Sequence, residues 1–152
     1  MTYRILITGS RTWSDERTIW DALTGTIDQA ASTGEHEFVV VHGHCPRGAD
    51  AIADFYCEDQ AGWRDNMSQV LAVERHPADW ATCTAACPTT WHRHTGRGGF
   101  TFCPLAGHHR NQHMVNLGAD ILLAFVKGNS RGATDCVRRA RAAGIPTMEW
   151  RA

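Results

Sequence analysis

Short apolar runs alternate along this chain with segments of helical periodicity, and this alternation limits the possible folds more than any other feature. The strand-like runs occupy residues 3–8, 38–42, 70–74, 121–126 and 147–150. Between the first two, Ile19, Leu23 and Ile27 recur at helical spacing. Strands that alternate with helices form a parallel sheet covered on both faces, because the crossover connections are right-handed. We therefore predict a doubly wound, Rossmann-like α/β fold with five strands in the order 3-2-1-4-5.

Capping residues mark the ends of the predicted helices. Ser14 is a favourable N-cap for the first helix, which we expect to run to Gly34. A second helix is expected to start near Gly48, and a short third helix to end near Gly118. The last helix is expected to end at Gly144, because a proline follows two residues later.

Length and charge restrict the organisation and the partners of the chain. With 152 residues, of which 43% are hydrophobic, the chain can bury one ordinary core, so we expect a single domain over residues 1–152. Residues 82–104 lack periodicity and are expected to form an insert within it. The formal charge of −1 provides no global field for nucleic acid or for an acidic membrane. No signal peptide or membrane-spanning run is recognisable, and we expect a cytoplasmic protein.

Two loops rich in glycine and hydroxyl groups follow the first and fourth strands, which flank the switch point of the predicted sheet. They contain Gly9, Ser10 and Arg11, and Gly128, Ser130 and Gly132. Backbone N–H groups in such loops can approach a phosphate, and the following helix N-terminus attracts negative charge. Arg11 adds a guanidinium that can bind a phosphate through two hydrogen bonds. For one isolated loop a tight turn is an equally good explanation, but two loops at one crevice favour a phosphate-bearing small molecule.

Neither loop matches a complete dinucleotide fingerprint or P-loop, which argues against an ordinary dehydrogenase or ATPase. Residues 42–50 follow the second strand and are expected to open onto the same rim. There Gly48 permits a close approach of the backbone to a ligand, and Asp50 either contacts the ligand or stabilises the helix dipole. Arg110 and Asn111 add a guanidinium and an amide near the next helix, with surface solvation as the alternative.

Six motifs in order resemble the SLOG superfamily and, more narrowly, its YspA-like branch, which is common in actinobacteria and their phages. They are ITGSRTWSD, VVHGHCPRGAD, VERHPADW, AGHHRNQHMV, GADILLAF and GNSRGAT. The resemblance covers nearly the whole chain outside the insert. It implies a Rossmann-like domain that binds a nucleotide or a nucleotide-derived ligand. Relatives of this superfamily include cytokinin-activating phosphoribohydrolases and a DNA-processing protein.

The resemblance also implies a ligand pocket, transferred position by position to this chain. Its residues are Gly9, Ser10, Arg11, Gly43, Gly48, Ala49, Asp50, Arg110, Asn111, Gly128, Ser130 and Gly132. The function that it implies is that of a small-molecule sensor or binding protein.

A phosphoribohydrolase would need a glutamate that this chain lacks. Aligning residues 130–133 on the G-x-G-T of the P-G-G-x-G-T-x-x-E motif puts Cys136 at the position of the catalytic glutamate. Asp135 is a helical neighbour that points about 100° away. Hydrolysis of an N-glycosidic or phosphoribosyl bond is therefore the alternative function, with Asp50 or Glu74 as acid or base and the catalytic residue unidentified.

The sequence leaves two kinds of macromolecular partner open. A DNA-associated module is a further alternative, because one relative acts on single strands, although the near-neutral charge argues against nucleic acid. Its local basic patch would consist of Arg138, Arg139, Arg141 and Arg151. Related domains commonly associate, and six tryptophans provide apolar surface, so we expect a homo-oligomer. Core packing is the alternative role of each tryptophan.

The insert concentrates residues that bind metals. These are Cys83, Cys87, His92, His94 and Cys103. In a reducing compartment such a group favours metal over disulfides. The three cysteines with either His92 or His94 would form a Cys₃His site for a structural Zn²⁺, with His108 and His109 as competing donors. A mobile loop with unligated thiols is the alternative.

Overall fold

A computed structural model of the chain describes residues 1–84, 87, 94–96, 98–99 and 101–152. Its strands are β1 (Thr2–Gly9), β2 (Glu37–His42), β3 (Val70–Arg75), β4 (His94–Thr95), β5 (Thr101–Phe102), β6 (Ile121–Val126) and β7 (Thr147–Arg151). Five of them form a sheet in the order β3-β2-β1-β6-β7, and β1 pairs in parallel with both neighbours. Strands β4 and β5 form a separate antiparallel pair within the insert. Counted without this pair, the order is 3-2-1-4-5, so the predicted fold is confirmed.

Within the described residues, four helices connect the strands. They are α1 (Glu16–Ser32), α2 (Ala49–Asp65), α3 (Ala106–Asn116) and α4 (Arg131–Ala142). Asp15 caps α1, because its carboxylate accepts a 3.1 Å hydrogen bond from the Thr18 N–H; the predicted cap, Ser14, lies one residue too early. No helix in the described part of the chain is long and apolar enough to cross a membrane.

The sheet is covered on both faces, because neighbouring residues of each central strand point in opposite directions. Ile5 and Ile7 on β1 pack in one core with apolar residues of α1 and α2. Leu6, between them, belongs to a second core with residues of α3 and α4. The loops at the carboxyl ends of β1 and β6 therefore lie between helices of opposite layers.

One charged side chain lies wholly inside the protein. Arg64 on α2 has no exposed side-chain surface, and its Nη1 donates to Asp28 Oδ1 at 2.6 Å and to Gln69 Oε1 at 3.1 Å. Its Nε and Nη2 have no hydrogen-bond partner within the described residues. Buried donors without acceptors oppose folding, so the charge of Arg64 offsets part of the benefit of burying its aliphatic stem.

We expect the Arg64→Met variant to be at least as stable as the wild type, and Arg64→Ala to lose about 3 kcal/mol of unfolding free energy. Methionine fills most of the same volume without unpaired donors, whereas alanine leaves a cavity. Asp28 does not become a buried unpaired charge in either variant, since its side chain is 58% exposed. Urea denaturation measures both effects. A methionine variant as unstable as the alanine variant would show that the ion pair outweighs the unpaired donors.

Candidate functional site

A cavity of about 320 Å³ opens at the carboxyl ends of β1 and β6. The predicted ligand residues among its lining are Gly9, Ser10, Arg11, Gly43, Asp50, Arg110, Asn111, Ser130 and Gly132. Gly48, Ala49 and Gly128 are not part of the lining. The structure thus brings the two switch-point loops, the loop after β2 and the helix α3 around one space.

Ser10 joins the two switch-point loops to each other. Its hydroxyl accepts a 2.8 Å hydrogen bond from the Lys127 N–H and donates to the Lys127 carbonyl at 3.2 Å, while its own N–H donates to the Phe125 carbonyl at 2.9 Å. The side chain is buried. Ser10 therefore fixes the spacing of the loops, a role that its position in the sequence did not reveal.

Gly48 and Gly9 allow α2 to pack directly under the first loop. Gly48 has a φ of +78°, and a Cβ built there would overlap the Ser10 carbonyl oxygen and the Arg11 Cα. A Cβ at Gly9 would overlap the Ala49 Cβ and come within 2.7 Å of the Phe125 carbonyl oxygen. The Ala49 N–H also donates to the Ser10 carbonyl at 3.2 Å. We predicted that a ligand approaches Gly48, but the group that approaches it is the backbone of the first loop.

The three cations that line the cavity differ in what they bind. The Arg110 Nη1 donates to the carbonyls of Gly43, at 2.6 Å, and His76, at 3.1 Å, so this side chain holds the ends of β2 and β3 against α3. Arg11 and Lys127 are exposed, and neither has an ion-pair partner within the described residues. These two cations are available to an anion. The sequence places Lys127 at the start of the second switch-point loop, directly after β6, but gave no reason to select it as a ligand residue.

Asp50, in the first turn of α2, is the only carboxylate among the described residues that line the cavity. It is 7% exposed and accepts a 3.2 Å hydrogen bond from the Cys45 N–H. Burial raises the pKa of Asp50. A carboxyl group of this kind can accept hydrogen bonds from sugar hydroxyls or exchange a proton with a bound molecule.

Asn111 stabilises the wall of the cavity. Its Nδ2 donates to the Gly132 carbonyl at 3.1 Å and to Asp135 Oδ2 at 3.2 Å, and its Oδ1 accepts from Arg110 Nε at 3.1 Å. Because both ends of the amide have protein partners, Asn111 holds the start of α4 in place. Surface solvation, the alternative to the predicted ligand contact, does not apply to Asn111, which is buried.

Helix α4 presents no carboxylate to the cavity. Cys136, at the position of the family glutamate, is fully buried in the core, and burial raises the pKa of its thiol to about 11. Burial alone would raise the pKa of Asp135, but hydrogen bonds from Arg139, Asn111 and His108 lower it to about 2. Neither residue lines the cavity.

Glu74, the other predicted acid or base, is held in an ion pair away from the cavity. Its carboxylate binds Arg4 at 3.0 Å and the ring of His76 at 2.6 Å. The hydrogen bond from Arg4 is the main reason that the pKa of Glu74 falls to about 2. Glu74 is therefore ionised at neutral pH and stabilises the sheet.

We expect the free energy of unfolding to decrease as the pH falls from about 4.5 to about 2. The folded pKa values of Glu74 and Asp135 are about 2, against ordinary values of 4.5 and 3.8. Groups with depressed pKa values stabilise the fold above their ordinary pKa, and this contribution disappears as they are protonated in the folded state. Denaturant unfolding across this pH range measures the loss. An Asp135→Asn variant should show a smaller loss, and an unchanged pH profile would contradict the assignment.

Three thiols of the insert form a group that can hold a metal ion. The Sγ atoms of Cys83, Cys87 and Cys103 lie within 4.8 Å of one another, and those of Cys87 and Cys103 are 3.8 Å apart. No disulfide joins any of the six cysteines, all of which are within the described residues. His94 lies in β4, outside this group, with its ring against that of Phe102, and His92 lies outside the described residues.

The arginines of the predicted basic patch are paired with carboxylates. Arg138 and Arg139 bind Asp135, at 2.9 Å and 2.8 Å. Arg141 and Arg151 bind Glu149, at 2.6 Å and 2.9 Å. Two carboxylates thus offset part of the positive charge on which a nucleic-acid interface would depend.

Comparisons with known proteins find relatives along most of the chain. A model of the YspA, cpYpsA-related SLOG family matches residues 3–83. The Gene 61 protein of Mycobacterium phage D29 is 39% identical over 150 residues, which cover 97% of this chain and 95% of that protein. The comparison with solved structures gave no significant match.

Proposed function

We propose that this chain, which belongs to the YspA, cpYpsA-related SLOG family, binds a nucleotide or a nucleotide-derived small molecule in the cavity between the β1 and β6 loops. Membership of the family points to nucleotide-related binding or to hydrolase-like roles. The observation that carries the proposal is the pair of exposed cations, Arg11 and Lys127, beside the N-terminus of α4. A sensor or binding protein requires only such recognition.

The phosphate is assigned to the start of α4. The first hydrogen bond of this helix joins the Thr134 N–H to the Ser130 carbonyl, so the preceding N–H groups have no partner within the helix. The Ser130 side chain makes no capping hydrogen bond and can donate its hydroxyl to a phosphate oxygen. Together with the helix dipole and the two cations, these donors suit an anion with several oxygens.

We assign the nucleoside part of the ligand to the side of Arg11 that faces away from the phosphate. Asp50, deep in the cavity, is placed to accept hydrogen bonds from ribose hydroxyls. A second hollow of about 580 Å³ shares Arg11 and Gly43 with the cavity and extends to Pro77 and Trp80. The indole of Trp80 is 39% exposed, and an exposed aromatic face can stack on a base. This continuity favours a nucleotide over inorganic phosphate as the ligand.

Two measurements test the binding proposal. Mass spectrometry of the purified protein should detect a co-purifying nucleotide or nucleotide derivative. Calorimetry against mono-, di- and cyclic nucleotides and ADP-ribose derivatives should find at least one ligand with saturable binding. A folded protein that binds none of these compounds would contradict the proposal.

Hydrolysis of an N-glycosidic or phosphoribosyl bond is the second candidate function, and the buried carboxyl of Asp50 favours it. Its raised pKa brings its protonation closer to neutral pH, as proton transfer requires. Chromatography of nucleotides incubated with the protein would detect a released base. Release by the wild type but not by Asp50→Asn would support an enzyme, whereas binding without release supports a sensor.

We also propose that the three thiols of the insert hold a structural Zn²⁺. In a tetrahedral site with Zn–S bonds of about 2.3 Å, two sulfur atoms are about 3.8 Å apart. The 3.8 Å separation of the Cys87 and Cys103 Sγ atoms supports this ion. Elemental analysis should find about one zinc per chain, and a content near zero that added zinc does not change would contradict the proposal.

A further inference from the structure

We infer that His109, on α3, is the fourth ligand of the metal site formed by Cys83, Cys87 and Cys103. The inference rests on the proposed zinc but not on the proposed nucleotide. The His109 Nε2 lies 3.1 Å from the Cys87 Sγ, and Cys87 in turn lies 3.8 Å from Cys103. An imidazole nitrogen of α3 thus contacts one of the three clustered thiols of the insert.

The distances suit one tetrahedral ion. With Zn–S bonds of about 2.3 Å and a Zn–N bond of about 2.0 Å, a sulfur and a nitrogen ligand are about 3.5 Å apart. The His109 and Cys87 atoms need to separate by only a few tenths of an ångström to reach this value. The three thiols already lie within 4.8 Å of one another, and His109, which contacts Cys87 but is not within that distance of all three, moves toward the other two thiols to complete the site.

The surroundings stabilise the thiolate form that binds metals. The Thr84 N–H donates to the Cys87 Sγ at 3.3 Å, a contact that favours negative charge on the sulfur.

Nearby histidines in the described part of the chain have other contacts. His108, adjacent in sequence, points its Nδ1 at Asp135 Oδ1, 3.0 Å away. His113, one turn further along α3, packs its ring edge to face against that of His76. His94 packs against Phe102 on the β4–β5 pair. The geometry therefore favours His109 over the histidine that the sequence spacing had suggested.

Ligation by His109 would connect the metal site to the helix α3, which lines the proposed nucleotide cavity. Cys103 lies just before the cap of α3; its carbonyl accepts from the Ala106 N–H at 3.2 Å, and its N–H donates to the Trp80 carbonyl at 2.7 Å. His109 is followed by Arg110, which holds the ends of β2 and β3. A Cys₃His site has no open coordination position, so the ion is structural and fixes the start of α3 beside the cavity.

Cobalt titration of the full chain tests the inference, because tetrahedral Co²⁺ bound to thiolates has a characteristic visible and near-ultraviolet spectrum. The wild type, His92→Ala and His94→Ala are expected to bind one equivalent with the same spectrum and affinity. His109→Ala should bind cobalt at least about 100-fold more weakly, because loss of a direct ligand exceeds the effect of losing a supporting contact. His109→Cys should recover tetrahedral binding with a Cys₄ spectrum, which separates ligation from a folding defect.

The outcomes distinguish the two proposals. If the wild type binds cobalt and His109→Ala binds it equally well, His109 is not a ligand and only this inference fails. The same conclusion follows if His92→Ala or His94→Ala loses the metal instead. A wild type that binds neither cobalt nor zinc overturns both the structural zinc and its fourth ligand.

Discussion

Gly48→Ala is expected to lower the free energy of unfolding by about 3 kcal/mol or more, the sum of backbone strain and overpacking. The φ of +78° at Gly48 is unfavourable for any residue with a Cβ. The added methyl would overlap the Ser10 carbonyl oxygen and the Arg11 Cα, which are backbone atoms and cannot rotate away. Denaturant unfolding measures the loss, and the displaced loop should also weaken nucleotide binding.

Gly25→Ala is the matched control for this variant. Gly25 lies within α1, and a Cβ built there meets no atom within 4 Å. Alanine in a helix interior is expected to stabilise the protein by about 0.5 to 1 kcal/mol. A Gly48→Ala protein with wild-type stability would show that the first loop is not packed against α2 as described.

Arg11→Ala is expected to weaken nucleotide binding about 10- to 100-fold. This loss corresponds to the free energy of one charge-assisted hydrogen bond, about 1.5 to 3 kcal/mol. The side chain is exposed and has no ion-pair partner within the described residues, so its removal should leave the stability unchanged. Arg11→Lys should recover part of the affinity, because it restores the charge but not the two-pronged geometry. Calorimetric titration with the ligand identified for the wild type measures each affinity.

Arg17→Ala is the control that distinguishes loss of a charge at the cavity from a change in the net charge of the protein. Arg17 lies on α1, its side chain is 90% exposed, and it is 3.7 Å from Asp21. This variant changes the net charge as Arg11→Ala does, but at a residue that does not line the cavity. Equal losses of affinity in both variants would indicate a general electrostatic effect. An unchanged affinity in Arg11→Ala would show that Arg11 does not contact the ligand.

The strand order could be predicted because the central strands are short, apolar and closed by turns. The start of α3 could not, since residues 106–113 contain many histidines and few apolar side chains, which hides the helical period. Arg110 and Asn111 therefore lie inside a helix that begins at Ala106. A helix with a weak apolar stripe is held by packing against its neighbours, here chiefly α4.

The sequence indicated which residue types surround the cavity but not what each one binds. Ser10 and Asn111 have the polar groups of ligand-binding residues, yet protein atoms occupy their hydrogen bonds. Lys127, which was not among the predicted ligand residues, presents an exposed charge to the cavity. Ser10 binds a residue 117 positions away, and Asn111 binds residues 21 and 24 positions away, and spacing along the chain does not encode such contacts.

The metal-site prediction was limited by a similar effect. Spacing favoured the histidines inside the insert, at positions 92 and 94, because they lie between the cysteines. The thiol group itself is present in the structure, and the imidazole in contact with Cys87 comes from the following helix. The turn at Cys103 brings this imidazole near the thiols, so a short sequence spacing between the cysteines and the histidine is not needed.

A paired titration with a nucleotide and its nucleoside tests the central claim most directly. The two compounds differ only in the phosphate, which we expect Arg11, Lys127 and the N-terminus of α4 to bind. The nucleotide is expected to bind at least about tenfold more tightly than the nucleoside, and this difference should shrink in Arg11→Ala. Equal affinity for the two compounds, or binding of neither to the folded protein, would contradict the account.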